Sequence, residues 1–169
     1  MNVLRTPIDR APLRPILLGC LAAVLAGCQS GERPAVEPVY SVNDYDPARN
    51  PVDDLATTIR EAQAGNKRIL LQVGGQWCGW CHKLDRFVKA NPAVAAALRE
   101  HFIIMKVNYS DENENAEFLA QYPEIPGYPH LYVLESDGTL LHSQPTAELE
   151  EGPSYSEPAI LAFLKIWSS

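Results

Sequence analysis

Cys78 and Cys81 stand two residues apart in the stretch "GGQWCGWCH", Gly74 to His82. Three chemistries share this spacing. A Cys-x-x-Cys pair can be a redox dithiol whose thiolate attacks disulfides. It can supply half the ligands of a zinc site. With a histidine directly after it, here His82, it also spells the attachment motif for c-type haem. The stretch alone leaves all three open, because its chemistry depends on the elements that hold it.

Those elements can be read on either side. "RILLQVGG" contains a short, nearly continuous apolar run, Ile69 to Val73, which suits a strand buried on both faces. Gly74-Gly75 breaks it. After the pair, Cys81, Leu84, Phe87 and Val88 recur at helical spacing, so Cys78 opens a helix. Upstream, Asn50-Pro51 suits a helix cap and first position, Asp53 and Asp54 suit the positive end, and Gly65 suits its stop. Val52, Leu55, Ile59 and Ala62 form that helix's apolar stripe. Downstream, Asn91-Pro92 starts a further helical piece to Glu100. "FIIMKVNY" reads as a second buried strand, and "DENENAEFLAQY" as a helix with Phe118 and Leu119 inward. "HLYVL" and "TLLHS" flank an Asp137-Gly138 turn as a hairpin. Residues 145–156 read as loop, and Glu157 to Trp167 as a closing helix. Strands alternating with helices imply a parallel pair, and the hairpin adds antiparallel edges. The expected fold is α/β, a central mixed four-stranded sheet flanked by helices.

The chain has 169 residues, enough for one domain with a proper core, and 46% of them are hydrophobic. Its start is distinctive. Arg5, Arg10 and Arg14 precede the apolar run "ILLGCLAAVLAGC", Ile16 to Cys28. This is the layout of an export signal, and the run is too short to span a bilayer. Its end, "LAGC", resembles the lipobox of bacterial lipoproteins. That resemblance implies cleavage before Cys28 and acylation of Cys28, with residues 1–27 removed as signal peptide. Residues 28–49, rich in proline and polar residues, then read as a flexible tether; docking of Val39, Tyr40 and Tyr45 on the domain is the alternative. The domain proper is expected over 50–169. Removing three Arg and one Asp leaves 11 basic and 20 acidic residues, a net charge of −9, which disfavours nucleic acid as a partner.

This processing narrows the chemistry. Cys20 leaves with the signal and Cys28 carries lipid, so Cys78 and Cys81 are the remaining thiols. Zinc needs about four ligands, and one Cys pair supplies two. Haem needs a distal ligand, with Met105 on a buried strand and His101, His130 and His142 as candidates. Proteins of that haem type are mainly helical, whereas this chain reads as having several strands. A purely structural disulfide would close too small a loop to restrain the unfolded chain much. The redox reading remains. At a helix start, unpaired N–H groups and the macrodipole lower the pKa of Cys78. Cys81, one turn on and more buried, can resolve a mixed disulfide.

A strand, then "WCGWC" opening a helix, then "IPGYPHLYVL" before a hairpin resembles the thioredoxin superfamily, over residues from about Asn50 to Trp167. The leading helix and "WCGWCHKL" look most like envelope thioredoxin-like proteins. The resemblance implies a thioredoxin-like fold and a thiol–disulfide oxidoreductase. Cys78 and Cys81 take the two redox positions, around Gly79 and Trp80, with Trp77 as the preceding tryptophan. Tyr128-Pro129 takes the place of the cis-proline peptide, where the backbone of Tyr128 would pair with substrate. It further implies no cofactor or metal beyond the dithiol, protein thiols or disulfides of the envelope as substrates, and a separate partner that resets the pair. Three departures stand out. Gly79-Trp80 replaces Gly-Pro, Gln72 replaces a buried acid, and Gly74-Gly75 replaces bulkier residues. A binding module or chaperone-like adaptor that uses its dithiol little is the alternative function.

Overall fold

The computed structural model describes residues 36–168, so the expected signal peptide and Cys28 lie outside the described residues. In chain order the elements are β1 (Val39–Val42), α1 (Pro51–Gly65), β2 (Arg68–Gly74), α2 (Gly79–Ala90), α3 (Pro92–His101), β3 (Phe102–Asn108), α4 (Ala116–Leu119), β4 (His130–Leu134) and β5 (Leu140–Pro145). A 3-10 turn (Thr146–Leu149), a two-residue hairpin of β6 (Glu150–Glu151) and β7 (Ser154–Tyr155), and α5 (Glu157–Ile166) complete the domain. The main sheet runs β1-β3-β2-β4-β5. β1, β3 and β2 are parallel, whereas β4 is antiparallel to β2 and β5 to β4.

The expected mixed sheet is therefore present, with one strand more than the four read from sequence. For Val39, Tyr40 and Tyr45 the structure shows the docked alternative rather than a free tether. Val39–Val42 pairs with β3 at the sheet edge, so the ordered domain begins before Asn50. Arg99 also donates to the Glu37 carbonyl at 3.0 Å, fixing the chain just ahead of β1.

Alternation divides β2 and β3 between two cores. Ile69, Leu71 and Val73, with Ile103, Met105 and Val107, face one cluster that includes Ala62 of α1. Leu70 and Ile104 face the other, with Leu84 and Val88 of α2, Leu98 of α3, and Ile160 and Phe163 of α5. Both faces are covered, which explains the continuous apolar runs. Gln72 and Lys106 fall on the α2 side and are register partners. Each is a buried polar residue flanked by apolar residues in its strand.

Three local readings change. α1 is capped as expected, with Asn50 Oδ1 accepting from the Val52 N–H at 3.0 Å, but Val52 itself points to solvent and Thr58 is buried in the stripe. At its other end the left-handed residue is Asn66, with φ 50°, rather than Gly65. The acidic helix shrinks to the single turn of α4. Upstream of it, Asn113 Oδ1 accepts from the Asn115 N–H at 2.9 Å, and Asn115 Nδ2 donates to the Asn108 carbonyl at 2.8 Å. Such side-chain bonds to nearby backbone compete with helix formation. The β4–β5 turn forms as expected, with Gly138 at φ 92°, a conformation that favours glycine.

Candidate active site

The C-terminal end of β2 delivers the chain to the start of α2, and Cys78 is the N-cap of that helix. Its Sγ accepts the Cys81 N–H at 3.1 Å. That bond uses one of the helix's four unpaired donors. Cys78 and Cys81 form a disulfide with Cα atoms 5.2 Å apart. Cys81 is fully buried. Cys78, expected to be the exposed member, is only 3% exposed in this oxidised form, because Tyr128 and Trp80 pack against the pair.

The other expected site residues arrange themselves on two flanks. On one, the Tyr128–Pro129 peptide bond is cis, and Tyr128 stacks on Tyr109 with centroids 4.8 Å apart. Trp77 meets the edge of Tyr128 at 5.5 Å and donates its Nε1–H to the Tyr109 carbonyl at 2.7 Å. Trp77 is nonetheless 58% exposed, a large aromatic surface beside the dithiol. Gly75 makes this fold-back possible. A Cβ there would sit 2.4 Å from Trp77 Nε1 and 2.7 Å from the Tyr109 carbonyl oxygen. A groove of about 660 Å³ continues from Trp77 past Gln76, Tyr45 and Tyr109 to Asp111 and Glu112. On the other flank, Trp80 packs edge-on against Tyr155 at 5.5 Å, and Lys83 Nζ lies 3.5 Å above its ring. Trp80 is thus held apart from the Trp77–Tyr128 side. Gly79, between the cysteines, is open. His82 turns back to the Gln76 carbonyl at 2.7 Å, away from the haem role its position suggested. Among the described residues no cluster of His, Cys, Asp or Glu could hold a metal ion.

Sequence reasoning singled out Gln72 and offered Tyr45 as a docking residue, but missed Asp85, Lys106 and the network that joins them. Gln72 Nε2 donates to the Tyr45 hydroxyl oxygen at 2.7 Å and reaches Asp85 Oδ1 at 3.4 Å. Asp85 in turn receives Lys106 Nζ at 2.8 Å. The Lys106 ammonium lies 5.5 Å from the Tyr40 ring and 5.2 Å from the Tyr45 ring. Burial, reinforced by the Asp85 charge, pushes the Tyr45 hydroxyl well above its usual pKa. For the same two reasons Tyr40 rises to about 12. The acid absent at Gln72 is therefore present nearby, on α2. Its position four residues after Cys81, on the same helical face, was the available signal.

His130, next to the cis-proline, is fully buried, and its Nδ1 has no partner among the described residues. Burial, then the neighbouring His142, draws its pKa down to about 4. An unfolded histidine titrates near 6.5, so the unfolded chain takes up the proton first. The stability contributed by neutral His130 is complete above about pH 6.5. It falls as pH drops from there towards 4, by at most about 1.4 kcal/mol per pH unit. Urea midpoints measured across that window are expected to decline, and His130→Leu should flatten the decline.

Comparison with known proteins fits this geometry. A thioredoxin-like family model matches residues 50–136. The chain is 29% identical, over 91% of its length, to the thiol:disulfide interchange protein DsbD of Pseudomonas sp. (strain JR1 / K1), and it spans only 28% of that protein. It is 23% identical to the disulfide bond reductase DsbH of Chlamydia pneumoniae, covering 73% of this chain and 80% of that protein. Among solved structures, the disulphide isomerase from Xylella fastidiosa Temecula1 superposes with a TM-score of 0.62 at 24% identity, covering 73% of this chain and 96% of that one. With the family model matching more than half of its length, the chain belongs to the thioredoxin-like family.

Proposed function

We propose that this protein is a thiol–disulfide oxidoreductase of the bacterial cell envelope, exchanging disulfides with protein substrates through Cys78 and Cys81. The observation that carries the reading is the disulfide at a helix N-terminus, its first sulfur accepting a backbone N–H, beside a cis Tyr128–Pro129 bond. In the reduced protein the same N–H and the helix dipole stabilise the Cys78 thiolate. That thiolate attacks a substrate disulfide and forms a mixed disulfide. Cys81 then attacks Cys78 Sγ, closes the intramolecular bond and releases the substrate as a thiol. A separate dithiol partner resets the pair. Trp77, Tyr128 and the groove beside them offer an aromatic surface for the substrate chain, and the backbone of Tyr128 offers main-chain pairing.

Reduction of insulin or of a disulfide-bonded peptide tests the activity directly. No exchange above the rate of a free dithiol would reject it in favour of a binding module. The reduction potential then sets direction: a value near about −270 mV marks a reductant and one near about −120 mV an oxidant.

The export signal and the lipid on Cys28 belong to the same proposal, on the strength of the apolar run that ends at "LAGC". No helix among the described residues is long and apolar enough to cross a membrane. Cys28→Ala is expected to move the protein from the membrane fraction to the soluble fraction. Retention with the membrane would end the lipid assignment.

A further inference from the structure

Two of the sequence's departures from its family meet at one point in space. Gly74 lacks a side chain, and a Cβ built on it would lie 2.5 Å from Cys81 Sγ and 3.1 Å from the Tyr45 hydroxyl oxygen. The sulfur and the hydroxyl therefore both border the small space that the glycine leaves free. Gln72 supplies the second element. Its amide donates into the Tyr45 oxygen at 2.7 Å and occupies an acceptor position there. The phenol keeps its own proton to give. Among the described residues no hydrogen bond from that hydroxyl, to sulfur included, forms in the oxidised protein, and Tyr45 packs in one buried cluster with Cys78 and Cys81. Tyr45 is 2% exposed and Cys81 0%, so water does not compete freely for this contact.

We infer that Tyr45 is a further catalytic residue of the dithiol: once the disulfide opens, its hydroxyl donates to the freed Cys81 sulfur and stabilises the thiolate that resolves the mixed disulfide. This rests on the exchange chemistry proposed above and assigns a donor to its second half. A buried thiolate is costly unless a donor meets it. The raised pKa of Tyr45 keeps it protonated, so it acts as a donor and never as the base. The step balances without another reagent. Cys81 loses its proton to solvent, and its electron pair forms the bond to Cys78 Sγ as the Cys78–substrate bond breaks. The leaving sulfur regains a proton from solvent. Tyr45 keeps its own throughout.

Other charged or titratable groups face the same site. Asp85 comes from α2 and opposes thiolate formation, whereas Lys106 comes from β3 and favours it. Tyr40 and Tyr155 lie close to Tyr45, and Tyr128 packs on the pair from the cis-proline side. None of these is altered by Tyr45→Phe, which removes one oxygen and keeps the ring.

The test uses the full chain with labelled cysteine Cβ carbons, so that Cys81 is followed individually in the reduced protein. In Tyr45→Phe the Cys81 titration midpoint is expected to rise by about one pH unit, and resolution of a mixed disulfide with glutathione at pH 7 to slow about tenfold. Alkylation of Cys78 in a Cys81→Ser background should be unchanged by the same substitution. An unmoved Cys81 midpoint overturns the inference, as does an equal change at both cysteines, which would mark a merely structural role. The titration needs no turnover. A wild-type protein that exchanges no disulfides would therefore reject the proposed function while leaving the Cys81 result readable.

Discussion

Cys78→Ser is expected to lower insulin reduction by at least about a thousandfold, the scale of losing a nucleophile. The serine keeps the N-cap, because its oxygen can accept the same backbone N–H that Cys78 Sγ now accepts at 3.1 Å. Helix and fold are thereby preserved while the thiolate is lost. The hydroxyl is far from ionised at neutral pH and forms no disulfide. Cys81→Ala should behave differently. Attack by Cys78 still occurs, but the mixed disulfide is not resolved from within. Substrate then accumulates in covalent linkage to the protein, visible as a reductant-sensitive band on a non-reducing gel. Wild-type turnover in Cys78→Ser would refute an enzymatic role for the pair.

Gly74→Ala is expected to cost about 1–3 kcal/mol of stability, the scale of forcing extra volume into a packed interior. The added methyl would sit 2.5 Å from Cys81 Sγ, closer than carbon and sulfur can approach. Neither neighbour can swing aside cheaply. The sulfur is tied to Cys78, and the Tyr45 ring is held by Gln72 and buried. Reducing the disulfide frees Cys81 to rotate, so the loss should be larger in the oxidised protein. Gly79→Ala is the control: nothing lies within 4 Å of its Cβ position, so the change should stay within about 0.5 kcal/mol. Urea unfolding of both variants, oxidised and reduced, measures the difference. Equal stability of the two variants would show that the space above Gly74 is not filled as described.

What the sequence revealed followed the reach of local rules. Ile69 to Val73 announced a doubly buried strand, Cys78 announced a helix start, and Asp137-Gly138 announced a turn, because each signal is complete within a few residues. β1 carries no such signal. Val39–Val42 is four residues long, follows a proline-rich stretch, and becomes a strand through pairing with β3, far along the chain. The helix expected over 111–122 forms only at α4, because Asn113 and Asn115 ahead of it bond nearby backbone instead of continuing the helix. The redox pair was legible because its two members are neighbours in sequence. Its supporting network was not. Tyr45, Gln72, Asp85 and Lys106 come from a loop, a strand, a helix and another strand, and the sheet register alone sets Gln72 beside Lys106.

The edge strand also governs how the protein can be used if it is tied to a bilayer. β1 runs parallel to β2, and both Val39 and Ile69 are level with Ile103, whereas Gly74 and the dithiol lie at the opposite end of the sheet. The strand path from Ile69 to Gly74 is about 16 Å at about 3.3 Å per residue. With acyl chains on Cys28, only eleven residues separate the lipid from Val39, a leash of at most about 40 Å. Under the proposed lipidation such a leash would join the domain at the end of the sheet opposite the dithiol, leaving the dithiol end free of the attachment.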